Sequence, residues 1–451
     1  MLWIVGILIN FCLADENFLK NNVKELDWNG IKVVWVIDNE LPTYKINFYF
    51  NDGVYSEKPE ELGITKTMFD TLNYGTSKYK FKDLTEKLEF MGVETNSVVT
   101  HEFSQFTFGG LTKDANATMK LVCHMWSEPT FPAELIEHYK NRKISQIQNM
   151  VISHGALADR VFRELSLAQT PYSTPMEGKI QSVGNLDSRK IIKRHKDFLK
   201  NTNLKIYITG PEDVLSLKDV FIKECPFEAL QKPSWKLAID LAHKSKPQIY
   251  FLPMKEANQA QIRIGRFLNY SESKKDTELT TLAYSYMGSG FTSELMQELR
   301  VKRGLTYGAS SYAGFQRDYG RIITSTSTRA EKAVETLKVI RDVFKRNSTQ
   351  IDEERLSRSK NQVRGQFVMG LESSSDYLSQ LITLDHAGKS YSDIYQFSKK
   401  IINYDKNKVM NKISEIYNWN QQTIFILGPE NLAQELKALG EVEVIQLTNY
   451  L

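Results

Sequence analysis

Two stretches of the 451-residue chain, Leu204-Lys-Ile-Tyr-Ile-Thr-Gly-Pro-Glu212 and Gln422-Thr-Ile-Phe-Ile-Leu-Gly-Pro-Glu430, repeat one pattern at an offset of 218 residues. Each is a short apolar run halted by Gly-Pro, and so reads as a strand with a hard stop. Basic amphipathic segments precede both, opening Ser188-Arg-Lys-Ile-Ile-Lys-Arg-His195 and Ser398-Lys-Lys-Ile-Ile-Asn403, and helical segments follow both. A repeat spaced at about half the chain predicts duplication into two similar domains, because a chain of this length exceeds one core of ordinary size.

The first half mixes two periodicities. Ile31 to Ile37 and Tyr44 to Phe50 read as strands around the turn Asp38-Asn39-Glu40-Leu41-Pro42, and Glu102 to Leu111 alternates as a further strand. Lys82 to Met91, Ala115 to Trp126 and Pro132 to Met150 carry apolar residues at helical spacing. Hairpins mixed with long helices predict an α+β fold, each domain a mainly antiparallel sheet packed against helices, rather than a doubly wound sheet. The polar stretch 232–247, with Pro233 and Pro247, is the natural connector between domains at 15–231 and 248–451.

Charge excludes one class of partner. The 58 basic residues barely exceed the 54 acidic ones, the net charge is +4, and no long basic run occurs, so nucleic acid is not expected. The opening MLWIVGILINFCLA carries no charge and ends abruptly at Asp15. Its apolar run is too short for a bilayer span of ~20 residues but fits a secretory signal over 1–14, with Ala14 before the cut. Export to a bacterial periplasm without a stable membrane span is therefore expected, an uncleaved anchor being the alternative because no Lys or Arg precedes the run. Beyond that segment only Cys123 and Cys225 remain, and their spacing suggests neither a metal pair nor a disulfide framework; two buried thiols are expected.

The seven histidines, His101, His124, His138, His154, His195, His243 and His386, include no pair at the i, i+4 spacing that aims two imidazoles at one metal. Nucleophile elbow, phosphate loop and dinucleotide fingerprint are all missing from the sequence. One stretch stands out. Gly288-Ser-Gly-Phe-Thr-Ser-Glu-Leu-Met-Gln-Glu-Leu-Arg300-Val-Lys-Arg-Gly-Leu-Thr-Tyr307 opens with glycines, runs through an amphipathic helix closed by Arg300, and enters a strand at Tyr307.

Taken together, these features resemble the insulinase-like, or pitrilysin-type (M16), zinc peptidases over nearly the whole chain from about Asn29. Leu62-Gly63 to Gly75-Thr76 is similar to that family's metal-site helix, and Thr170-Pro-Tyr-Ser-Thr-Pro-Met-Glu-Gly178 with Ser182 to Pro211 to its domain-joining region. Glu298-Leu-Arg300 through Gly304-Leu-Thr-Tyr307 is similar to its arginine and tyrosine signature. The resemblance implies two homologous α+β domains forming half of a clamshell around a peptide chamber.

The departures from the family pattern carry the functional expectation. The family holds zinc with His-x-x-Glu-His on the first helix, the glutamate activating water. Aligned through Gly63 and Gly75-Thr76, the histidine positions fall on Lys66 and Asp70 and the glutamate position on Phe69. A third ligand is expected near Ser145 to Gln148, yet no carboxylate occurs from His138 through Ala158. The resemblance thus implies no cofactor in this chain, with zinc supplied by a homologous partner subunit that carries the motif. Lys66 and Asp70 are expected to close on each other as an i, i+4 ion pair, with Phe69 filling the glutamate's space. Arg300 and Tyr307, spaced as in the family, are the expected contribution to the peptide substrate, donating to its carbonyl oxygen. The peptide is expected to add as a strand at Val93 to Val99, and so to meet Asn96, Ser97 and Val98. The rival expectation is a non-enzymatic peptide-binding or assembly module of the same fold.

Overall fold

The computed structural model describes residues 18–212, 216–230, 239–255 and 257–451. The expected signal segment 1–14 and part of the 232–247 connector lie outside the described residues. Strands form where the alternation placed them. β1 (Val23–Trp28), β2 (Ile31–Ile37), β3 (Thr43–Phe50), β4 (Glu94–Val99), β5 (Ser104–Leu111) and β6 (Leu204–Gly210) make one sheet in the order β1-β2-β6-β3-β5-β4. β7 (Gln248–Pro253), β8 (Gln259–Leu268), β9 (Ala309–Phe315), β10 (Gly320–Arg329), β11 (Thr423–Gly428) and β12 (Val442–Val444) make the other, in the order β12-β7-β11-β8-β10-β9.

The repeated apolar strands occupy equivalent places. β6 runs parallel to β2 and antiparallel to β3, as β11 runs parallel to β7 and antiparallel to β8. Most other pairings are antiparallel, the exception being β12 beside β7. The α+β architecture with two similar six-stranded sheets is as the sequence pattern predicts.

Helices of the first half follow the 3.6 period closely: α1 (Ile64–Asp70), α2 (Phe81–Phe90), α3 (Ala115–Ser127), α4 (Ala133–Asn149), α5 (His154–Ser166), α6 (Ser188–Asn201) and α7 (Leu217–Glu224). Phe50, Phe69, Trp126 from α3 and Phe198 from α6 interlock in the first core, with ring centroids 5.0 to 6.5 Å apart.

The chain divides into two compact units that interleave in sequence. One holds the described residues of 1–147, 174–235 and 370–395, and the other those of 148–173, 236–369 and 396–451. Each sheet is drawn from one side of the 232–247 stretch, while each unit takes in a helical segment from the other side. In the first unit, helix α8 (Ser374–Ala387) packs on β2 and β6. There Asp385 accepts from Tyr207 (2.5 Å), from Tyr391 (2.6 Å) and from Lys205, while His386 bonds Tyr49 (2.7 Å) and meets Glu102 (3.0 Å). In the second unit, α5 packs on β8 and β11, anchored by Asp159 accepting from Arg263 Nε at 2.5 Å. Covering both faces explains why β6 and β11 read as continuous apolar runs instead of alternating.

The expectation of two free thiols is corrected. Cys123 on α3 and Cys225, just past α7, form a disulfide with their Cα atoms 4.4 Å apart. They lie 102 residues apart in sequence, so no local spacing announces the pair; the packing of α3 against α7 brings it together. Cross-linking so long a loop restricts the unfolded chain, and Cys123→Ala with Cys225→Ala is expected to lower the stability of the first unit by about 2–5 kcal/mol. Denaturant unfolding with and without reductant measures this: the wild-type midpoint should fall on reduction, and that of the double variant should not move.

Candidate functional site

Helix α1 begins at a crowded corner. Gly63 has φ +89°, and a Cβ there would stand 2.7 Å from the carbonyl of Glu177, so the backbone of 177–178 touches the helix start directly. Ser182 Oγ donates to the Leu62 carbonyl at 2.9 Å, and the first free amides of the turn, Gly63 and Thr65, donate to the Glu57 carboxylate at 2.7 Å each. Burial pushes Glu57 up to about 7, against the pull of those amides and of Arg194. Arg194 of α6 ties the same corner by donating to Thr65 Oγ1 and Asp52 Oδ2, each at 3.1 Å.

One turn on, the helix presents Lys66 and Asp70 to one side and Phe69 to the other. Lys66 Nζ closes on Asp70 Oδ1, both side chains about one-fifth exposed. Asp70 is also claimed by its neighbours: Ser97 Oγ on β4 donates to Oδ1 at 2.8 Å and the Tyr139 hydroxyl on α4 donates to Oδ2 at 2.8 Å. Burial, reinforced by Asp70, drives the Tyr139 phenol far above its ordinary value, so it stays a donor. Phe69 is 2% exposed and faces Trp126 and Phe198, each 5.4 Å away between ring centroids.

A cleft of about 410 Å³ opens beside this cluster, lined by Asn73, Thr95, Asn96, Ser97, Tyr139, Arg142, Lys143 and Gln146 among others. Tyr139, Arg142, Lys143 and Gln146 follow the i, i+3, i+4, i+7 stripe of α4, which carries them all to one face. Ser97 and Asn96 sit on β4, which lies at the margin of its sheet and pairs only with β5. Val98 is 40% exposed and does not line the cleft.

These residues do not fit a zinc ion. The Lys66 ammonium offers no lone pair, Phe69 offers no donor, and Asp70 is already engaged by three donors. Gln146, from the stretch where a third ligand is sought, brings an amide in place of a carboxylate. Among the described residues no group of three or more His, Cys, Asp or Glu could hold a metal. Three of the histidines serve structural contacts or are buried: His101 bonds the Thr174 carbonyl at 2.8 Å, His386 docks α8, and burial holds His195 down at about 4.

Arg300 and Tyr307 belong to the second unit. Arg300 lies in a single π-helical turn, Met296–Val301, a geometry frequent at functional sites. Its guanidinium lies 5.3 Å from the exposed Phe291 ring. The nearby acids are taken by other cations, Glu298 by Lys302, Arg303 and Arg346, and Glu294 by Arg346 and Arg355, and among the described residues Arg300 has no carboxylate partner. Tyr307 is 88% exposed and stands just before β9, the margin strand of the second sheet.

The chain matches two models of one family, "Insulinase (Peptidase family M16)" over residues 32–175 and "Peptidase M16 inactive domain" over residues 185–363. It belongs to the M16 peptidase family. A relative from Rickettsia bellii, described as an uncharacterized zinc protease, is 22% identical over 93% of this chain and 99% of its own. The "non-peptidase homolog YmxG" of Helicobacter pylori is 20% identical over 72% of this chain and 76% of its own. A crystal structure of a peptidase M16 inactive domain from Pseudomonas fluorescens superimposes with TM-score 0.79 at 21% identity, covering 90% of this chain and 98% of that one. The periplasmic protease PqqL from Escherichia coli does so with TM-score 0.73 at 12% identity, over 92% of this chain and 48% of that one. These likenesses establish the M16 fold. No helix among the described residues is long and apolar enough to cross a membrane.

Of the positions singled out in the sequence, Phe69, Asp70, Asn96 and Ser97 line one cleft and Lys66 pairs with Asp70 beside it; Tyr139, Arg142 and Lys143, which line it too, were not singled out. The signal was present as their shared helical stripe, in a stretch searched only for a carboxylate. Because Asp70 is the common acceptor, Asp70→Asn is expected to cost about 1–3 kcal/mol, by leaving the part-buried Lys66 ammonium without its counter-charge. Ser97→Ala and Tyr139→Phe, each losing one bond, should cost about 1 kcal/mol or less. Denaturant midpoints of the three variants give the order.

Proposed function

We propose that this chain is the zinc-free subunit of an exported two-chain M16 peptidase, inactive alone, in which a homologous partner supplies the zinc helix and this chain supplies Arg300 and Tyr307. The observation that carries the reading is the contrast between two half-sites. At Lys66, Phe69 and Asp70 every side chain is committed to an ion pair, a hydrogen bond or a core contact. Arg300 and Tyr307 are exposed near a margin strand, and among the described residues neither is paired with a carboxylate, Arg300 resting only against the exposed Phe291 ring. A guanidinium and a phenol held ready in this way can donate to a peptide carbonyl and stabilise the charge that grows on its oxygen. Export is supported by the Cys123–Cys225 disulfide, since such bonds persist in oxidising compartments, and by the periplasmic description of PqqL.

A second reading, a peptide-binding or assembly module without turnover, is favoured by the description of the H. pylori relative as a non-peptidase homolog. The two readings separate in the complex purified from the native source. Under the first, Arg300→Ala and Tyr307→Phe in this chain should each lower peptide kcat by about 10²–10³ while the zinc content of the partner is unchanged. Full activity in both variants would sink the division of labour, and an assembled wild-type complex that cleaves no peptide would favour the module.

A further inference from the structure

The cleft beside Asp70 is lined by more cationic than anionic side chains. Among the described residues that line it Asp70 is the only carboxylate, and Lys66 pairs with it; Glu177, outside the lining, also acts on Lys143. Arg142 and Lys143 remain. Each lies 5.6 Å from the centroid of the Tyr139 ring, Arg142 Nη2 donates to the Tyr74 hydroxyl at 3.1 Å, and among the described residues neither reaches a carboxylate at ion-pair distance. Burial draws the Lys143 pKa below its ordinary value; Asp70 and Glu177 oppose the fall, and Lys66 and Arg142 add to it. The amides of Asn73, Asn96 and Gln146 ring the same space and can donate further hydrogen bonds.

The position of this charge suggests the ligand. Thr95, Asn96 and Ser97 of the margin strand β4 form one wall of the cleft, so a chain adding to β4 by backbone pairing passes beside Lys143 and Arg142. A point charge and a guanidinium fork flanked by amide donors suit a carboxylate.

We propose that the cleft at the lost metal position is a carboxylate-recognition site, in which Lys143 and Arg142 bind the C-terminal carboxylate or an acidic side chain of an extended peptide lying along β4. This deepens the peptide-binding reading above and rests on it. A zinc helix acts on a peptide bond; a cationic cleft in the same place instead grips an end or a side chain and fixes which part of a peptide is presented. Lys143 and Arg142 are then positioning residues for the substrate.

The test is fluorescence anisotropy on the full chain with three N-terminally labelled octapeptide pools: one acid-terminated and one amide-terminated, both free of Asp and Glu, and one amide-terminated whose single acidic residue is a central Glu. The wild type should bind the acid-terminated or the Glu-bearing pool about tenfold more tightly than the plain amide, and which of the two is preferred identifies the source of the carboxylate. Arg142→Gln with Lys143→Gln should abolish the difference with little change in binding of the plain amide, and Lys143→Arg should retain it. Equal affinity for all three pools, or discrimination unchanged in the double variant, overturns the carboxylate site alone. Failure to bind any pool overturns it together with peptide binding by this chain.

Discussion

Asp70 is where the first unit's working face is tied together. Its carboxylate receives Lys66 from its own helix, Ser97 from the margin strand β4 and Tyr139 from α4, so three elements meet on one pair of oxygens. Their relative placement fixes the cleft, because the lining residues of β4 and α4 are held by the same bonds. A zinc ion in this kind of site organises its ligands by a double positive charge. Here a single ammonium and two hydroxyl donors meet a single carboxylate and balance its charge.

The same helix shows why one substitution settles more than the others. Aligned on the family motif, Lys66 and Asp70 at the histidine positions change the charge arrangement, whereas Phe69 at the position of the water-activating glutamate changes what the helix packs against. Phe69 joins Phe50, Trp126 and Phe198, and so is committed to the core. Removing such a ring from a close-packed interior costs about 3–5 kcal/mol. Restoring a glutamate at this position would require both that loss and the burial of a carboxyl group. The second unit shows the opposite condition: Glu294 and Glu298 are paired with neighbouring cations, while Arg300, on a π-helical turn, and Tyr307, just before β9, have no carboxylate partner among the described residues.

Much of this was legible in the sequence for identifiable reasons. The Gly-Pro-Glu repeat located β6 and β11 because a doubly covered strand is a continuous apolar run with a sharp end, and the i, i+4 spacing of Lys66 and Asp70 announced an ion pair because that spacing brings side chains together on any helix. The remainder depends on long-range packing that leaves no local period. The disulfide joins cysteines 102 residues apart. Asp385 and His386 look like ordinary helix residues until the Ser374–Ala387 helix is found on the first sheet, where Tyr207, Tyr49 and Glu102 receive them. Tyr139, Arg142 and Lys143 read as an amphipathic face, and only the position of β4 turns that face into a wall of the cleft.

We propose that the metal position of this M16 chain is rebuilt around the Lys66–Asp70 ion pair and takes no zinc. Metal analysis of the purified chain after incubation with excess zinc and exhaustive dialysis tests it most directly. The account predicts zinc far below one equivalent per chain, with an unfolding midpoint unaffected by zinc or chelator. One retained equivalent, removed by chelator with a loss of stability, would contradict it.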